Sequence, residues 1–165
     1  MEKGPTEPAG RVASLHLHTS TPGAPLQNVH ALELVESKGA TGDTRYFGQV
    51  SSSTGQPTRR QVTLMEREQI AQHAEALSLH SIPPGAVRSN VETSGIDLVA
   101  LVGREVSIGE AILYLYAPRD PCEKMDAICK GLRERMLNNR QGVLAEVRRS
   151  GTVRIGDSIR PLAEK

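Results

Sequence analysis

The chain has 165 residues, enough for one domain with a substantial hydrophobic core and too few for two ordinary ones. Lys and Arg total 20 against 19 Asp and Glu, and the aromatics are one Phe, three Tyr and no Trp, which argues against both an electrostatic nucleic-acid surface and a base-stacking one. No apolar run approaches the roughly 20 residues that span a bilayer, and the first ten residues lack the apolar centre of a secretory signal, so the composition predicts a soluble, cytoplasmic protein that binds neither membrane nor nucleic acid.

Residues 1–10, rich in Glu, Lys, Gly and Pro, read as a frayed tail, leaving 11–162 as a single domain. Arg11 to His18 alternates in the period of a half-buried strand, and Val29 to Val35 looks similar. Turn residues from Thr19 to Pro25 separate the two, and Gly39 to Asp43 makes a second break. His16 and His18 would share one strand face, and without a third ligand in register a solvated face is the better reading than a metal site.

Val50 to Thr58 is a Ser/Thr/Gly/Pro loop, followed by a short strand over Gln61 to Met65. From Glu66 to Leu79 the spacing becomes helical through Ile70, Ala74 and Leu77, placing His73 and His80 on or near the exposed side, and Ser81-Ile82-Pro83-Pro84-Gly85 ends it. Leu98 to Val102, Glu105 to Ile108 and Ala111 to Tyr116 read as strands separated by glycine turns. Met125, Ile128, Cys129, Leu132 and Met136 form one helical stripe, and Val143 to Val147 with Thr152 to Ile155 reads as a hairpin around Arg149-Ser150-Gly151. The sum is a β-rich α+β domain, a barrel-like mixed sheet with a few helices. No phosphate-binding glycine loop opens a helix, and there is no Gly-x-Ser-x-Gly elbow.

Pro118-Arg119-Asp120-Pro121-Cys122 places a thiol where a strand ends and a helix begins. The helix dipole there favours a thiolate, the form that binds metal or carries sulfur; Arg119 and Lys124 act in the same direction, Asp120 and Glu123 against it. Cys122 and Cys129 on one helix would stand ~10 Å apart along its axis, beyond disulfide reach, so both are expected free, as in a reducing compartment. A Cys–His hydrolase using His30 stays open. Arg60, Arg88 and Arg119 each sit beside a predicted strand end, where arginines suit bidentate capture of an oxyanion, and Asn90 can donate and accept hydrogen bonds at a glycine-terminated bend.

These pieces occur in a familiar order. Arg88-Ser89-Asn90-Val91-Glu92-Thr93-Ser94-Gly95-Ile96-Asp97-Leu98, the Ile108-Gly109-Glu110 turn, Pro118-Arg119-Asp120-Pro121-Cys122 and Gly151-Thr152-Val153-Arg154-Ile155-Gly156-Asp157 together resemble MOSC domains, found at the C-terminus of molybdenum cofactor sulfurases and in relatives. Gly42-Asp43 resembles a pair near that family's N-terminal strands. The resemblance implies a barrel-like fold with a pocket for a pterin-based molybdenum cofactor. Cys122 would be the metal's thiolate ligand and catalytic residue, with Arg60, Arg88, Asn90 and Arg119 as cofactor-binding residues, supporting two-electron reduction of N-hydroxylated or related substrates. The alternatives are a cofactor-free sulfur-handling enzyme, a persulfide carrier, sulfurtransferase or carbon-sulfur lyase with Cys122 as nucleophile, and a noncatalytic binding module in a sulfur or cofactor pathway. Expected partners are a small-molecule substrate, a redox or sulfur-donor protein, and a second copy of the chain in a homodimer.

Overall fold

The computed structural model describes residues 10–122 and 124–163. The tail expected over residues 1–10 lies outside the described residues except for Gly10, which already begins a strand. In chain order the strands are β1 (Gly10–Leu17), β2 (Gln27–Val29), β3 (Ala31–Val35), β4 (Gly39–Ala40), β5 (Val62–Glu66), β6 (Val91–Ser94), β7 (Glu105–Ile108), β8 (Ala111–Pro118), β9 (Val143–Arg149), β10 (Gly151–Arg154) and β11 (Ser158–Pro161). The helices are α1 (Arg67–Ala76), α2 (Lys124–Ile128) and α3 (Leu132–Arg135).

Seven strands close a barrel in the order β11-β7-β8-β9-β5-β6-β1, because β1 returns to β11 through Gly10 opposite Ile159 and Arg11 opposite Ser158. Pairing is antiparallel except between β5 and β6, where a parallel register demands a crossover and α1 supplies it. β2 attaches to the far end of β1, and β3, β4 and β10 form a separate three-stranded sheet. The fold is thus the β-rich, barrel-like α+β architecture that the sequence pattern predicts.

Two apolar clusters account for the burial. Val12, Leu15, Leu64, Leu113, Leu115 and Ile159 belong to the barrel core, whereas Met65, Ile70, Ala74, Met125, Leu132 and Met136 pack the helices against its outside. All five residues of β5 are buried because both faces are covered, Val62 and Leu64 by the barrel core and Met65 by the helical cluster. This second cluster holds the segment after Cys122 against the barrel.

Several local expectations fail for identifiable reasons. The segment from Leu98 to Val102 is a single 3-10 turn over Val99–Leu101, because the Asp97 carboxylate accepts from the Ala100 amide (3.3 Å) and Glu66 Oε2 accepts from the Leu98 amide (3.2 Å). The one long helix expected after the cysteine is two short ones, broken at Gly131 with φ of 93°. Cys129 is half-buried against the helical cluster. The hairpin around Ser150 does not form: β9 pairs with β5 and β8, whereas β10 pairs with β3. Ser150 Oγ accepts from the Glu36 amide (2.8 Å), and Gly151 crosses the Glu110 backbone so closely that a Cβ would overlap its carbonyl.

The histidines need the largest correction. His16 and His18 are 0% and 4% exposed, not on a solvated face. A register shift between Val12 and Ser14 turns the remainder of β1 over, so Val12 and Leu15 both enter the core and the expected alternation breaks. His16 Nδ1 donates to the Ser89 carbonyl (2.8 Å), and burial lowers its pKa. His73, expected near the exposed side of α1, is buried as well, with Nε2 donating to the Arg140 carbonyl (2.8 Å) and its pKa lowered by burial. His80 is exposed.

Candidate functional site

β8 ends at Pro118 and delivers Arg119 into the protein, where its amide donates to the Gly142 carbonyl (3.0 Å). The chain then turns outward, leaving Cys122 exposed and beginning α2 at Lys124. With five residues, α2 is too short for its dipole to dominate. A cavity of about 260 Å³ is lined by Cys122 together with the cations Arg45, Arg60, Arg88, Arg119 and Lys124, the acid Asp120, and His18 and Tyr46.

Arg119 is the unusual member. It is 8% exposed, and its Nη1 donates only to neutral acceptors, Ser89 Oγ (3.0 Å) and the Val87 carbonyl (3.4 Å). No carboxylate among the described residues pairs with it. Burial, reinforced by Arg60 and Arg88 and opposed by Tyr46 and Cys122, pushes the guanidinium down to about 10. A buried cation without a counter-charge is costly unless an anion joins it.

Arg88 is half-buried with φ of 66°, a left-handed conformation that a non-glycine residue adopts at a cost of order 1 kcal/mol. Its Nη1 donates to the Ala24 carbonyl (2.9 Å), fastening the loop between β1 and β2 to the cavity wall. Arg60 is exposed and interacts with Tyr116. The cavity adjoins an apolar shelf of about 420 Å³ that shares Arg88 and Lys124 with it and continues over Leu26, Pro83, Ala86 and Ile128.

Asn90, expected in the pocket wall, stands behind it. The residue is fully buried, and its side chain is committed: Oδ1 accepts from Thr63 N (3.1 Å) and Thr63 Oγ1 (3.3 Å), and Nδ2 donates to the His16 carbonyl (3.1 Å) and Asp43 Oδ2 (2.9 Å). That saturates the amide, leaving nothing for a ligand. Asp43 Oδ2 also accepts from His18 N (3.0 Å) and His18 Nδ1 (2.9 Å), while Oδ1 accepts from the amides of Arg45 (3.0 Å) and Tyr46 (2.9 Å). Burial alone would raise the Asp43 pKa, but the His18 ring and the amides of His18 and Tyr46 hold it down to about 2.

The sequence reading thus named Cys122, Arg60, Arg88 and Arg119, which the fold gathers around one cavity, and Asn90, which braces it. It missed His18, Arg45 and Tyr46 as lining residues and gave Asp43 no role, though the Gly42-Asp43 pair was a visible signal. His30 is exposed and does not line this cavity.

A closed, β-rich barrel with a few helices is the fold expected of the MOSC class. The family model for the MOSC domain matches residues 30–160, and the chain belongs to that family. Among solved structures it is similar to the YuaD protein from Bacillus subtilis, with a TM-score of 0.78 at 22% identity over 95% of this chain and 97% of that one. YiiM from Escherichia coli is also similar (TM-score 0.67, 20% identity, 98% and 72% covered), as is YiiM from Geobacillus stearothermophilus (0.68, 15%, 93% and 75%). At such identities the likeness is one of fold. No curated protein matches the chain. The family is associated with molybdenum cofactor binding and with sulfur and N-hydroxylated-substrate chemistry. No helix among the described residues is long and apolar enough to cross a membrane.

Proposed function

We propose that the chain from residue 11 to 162 acts as one MOSC unit that binds a pterin-based molybdenum cofactor in the Cys122 cavity and supports reduction of N-hydroxylated or related small molecules. The observation that carries this reading is Arg119, a buried guanidinium with no carboxylate partner among the described residues, facing the same cavity as an exposed thiol. The chemistry of the residues fits the group. Arg60, Arg88 and Lys124 would join Arg119 in holding phosphate, since charge-assisted bonds to phosphate oxygens are worth about twice neutral ones. Cys122 would supply one soft thiolate ligand. No cluster of three or more His, Cys, Asp or Glu among the described residues could hold a metal ion. When bound, the cofactor would supply the two electrons of the reduction. The apolar shelf next to Arg88 offers room for the uncharged remainder of a ligand.

A second reading follows from the exposure of Cys122, which leaves its sulfur open to a donor protein or a small thiol. There Cys122 is a persulfide carrier or nucleophile and needs no metal. Intact mass under denaturing conditions, read with iodoacetamide labelling of the native protein, separates the two. The cofactor reading predicts an unmodified Cys122 mass and a thiol shielded from alkylation until the cofactor is released. The sulfur reading predicts added mass of one sulfur atom that dithiothreitol removes. A Cys122 that alkylates freely and carries no sulfur, in protein that retains function as Cys122→Ala, would leave only the noncatalytic module.

A further inference from the structure

We infer that His18 is the proton-transferring group of the Cys122 cavity, held in a single tautomer by Asp43 and by the Asn90 bracket behind it. The inference rests on the reading of that cavity as the reacting site, but its structural basis is independent of which ligand binds. His18 lines the cavity, yet it is 4% exposed, so nearly all of the ring is fixed in protein. Its Nδ1 lies 2.9 Å from Asp43 Oδ2, whose side chain is wholly buried. Asp43 stays ionised in any ordinary buffer and can only accept, which puts a proton on Nδ1. The Tyr46 ring meets the imidazole edge to face at 5.0 Å and 76°, fixing the plane.

Nε2 is therefore the working nitrogen. It has no hydrogen-bond partner among the described residues, and unlike His16 Nε2 it is not sealed from solvent. The groups that surround it on the cavity wall are Arg45, Arg60, Arg88, Arg119, Lys124 and Asp120. Guanidinium and ammonium groups are weak acids by nature, and Cys122 is committed as ligand or nucleophile in either reading. Both chemistries nevertheless release a heteroatom that must be protonated, oxygen from an N-hydroxyl group or sulfur from an S–S bond. In the sulfur reading the Cys122 thiolate bonds to one sulfur of the donor as its S–S bond breaks, and the departing thiolate takes the proton as the Nε2–H bond of the imidazolium breaks. In the cofactor reading the two electrons that the cofactor would supply fill the nitrogen valence as the N–O bond breaks, and the departing oxygen takes that proton. The ring returns to its neutral Nδ1–H tautomer, and water at the cavity mouth restores the proton. Asp43 and Asn90 are positioning residues, because neither reaches the cavity itself.

The test is nitrogen NMR on the full chain labelled in histidine, paired with turnover. In the neutral ring His18 should show a protonated Nδ1 and a bare Nε2, and thiosulfate, used as an anionic probe, should shift Nε2 in the native chain. Asp43→Asn should shift the tautomer toward Nε2–H, because an amide in place of the carboxylate can donate to Nδ1. In protein that turns over, His18→Ala should lose about a hundredfold or more in kcat, regained in part with added imidazole, whereas His18→Gln, which keeps a donor toward Asp43, should fold normally and gain nothing from imidazole. A neutral ring that carries its proton on Nε2 in the native chain, an Nε2 indifferent to thiosulfate, or undiminished turnover in either His18 variant would overturn the inference. Protein without turnover would fault the functional reading instead, and the two NMR measurements would still decide the role of His18.

Discussion

Replacing Arg119 with methionine is expected to leave the folded chain about as stable as before while weakening anion binding by roughly ten- to a hundredfold. The two effects diverge because Arg119 carries a buried charge that the ligand-free protein does not neutralise. Its partners are the neutral Ser89 Oγ and Val87 carbonyl, and burial pushes its guanidinium down to about 10. Methionine is close in length, fills the same space and removes the desolvation cost, which offsets the donors lost by Ser89 and Val87. A bound anion, by contrast, loses a charge-assisted bond made in a site sheltered from water. Chemical denaturation and calorimetric titration with pyrophosphate measure the two quantities separately. A stability loss of about 3–5 kcal/mol, the cost of breaking a buried pair, with unchanged pyrophosphate affinity would mean that Arg119 is structural.

Asp43→Asn should be among the most destabilising single changes near the cavity. The carboxylate accepts five hydrogen bonds, two from the His18 backbone and ring, one from Asn90 and two from the Arg45 and Tyr46 amides. An asparagine has one oxygen to offer and turns an NH₂ toward at least one of these donors, so a loss of about 2–4 kcal/mol is expected. The sign of the pH effect follows from the same geometry. The Asp43 pKa drops from an ordinary 3.8 to about 2 on folding, so its contribution is fully present above pH 3.8 and disappears as pH falls through 2. That contribution is of order 2 kcal/mol. Urea titrations across this acid range should show the native chain losing more stability than the variant. Parallel curves would place the shift elsewhere.

What could be read from sequence was set by how much of each signal is local. The β8 strand and the turn after it were visible as an apolar run meeting Pro and a charge cluster, and that sufficed to place Cys122 and Arg119 at an element junction. The closing of the barrel depends on β1 meeting β11 across almost the whole chain, and no local pattern encodes that pairing. The strand over Val91–Ser94 was hidden in a polar stretch because its Glu92 is buried against Arg67 Nη1 (2.6 Å) and the Gly85 amide (2.8 Å), partners that only the fold supplies. The most consequential miss was His18. Strict alternation assigned its face to solvent, whereas the irregularity after Val12 reverses the strand and the loop through Asp43 then covers it. Asn90 was noticed for the right reason, its capacity to donate and accept, but that capacity is spent holding Thr63, His16 and Asp43 together.

The central claim is that Cys122 and Arg119 belong to one site that retains a molybdenum cofactor. Molybdenum content per chain, determined by elemental mass spectrometry after expression in a host that makes the cofactor, tests it directly on the native protein, Cys122→Ser and Arg119→Met. Near-stoichiometric metal in the native chain that falls sharply in both variants, with both still folded, is the predicted result; metal absent from the native chain, or retained equally by all three, would contradict it.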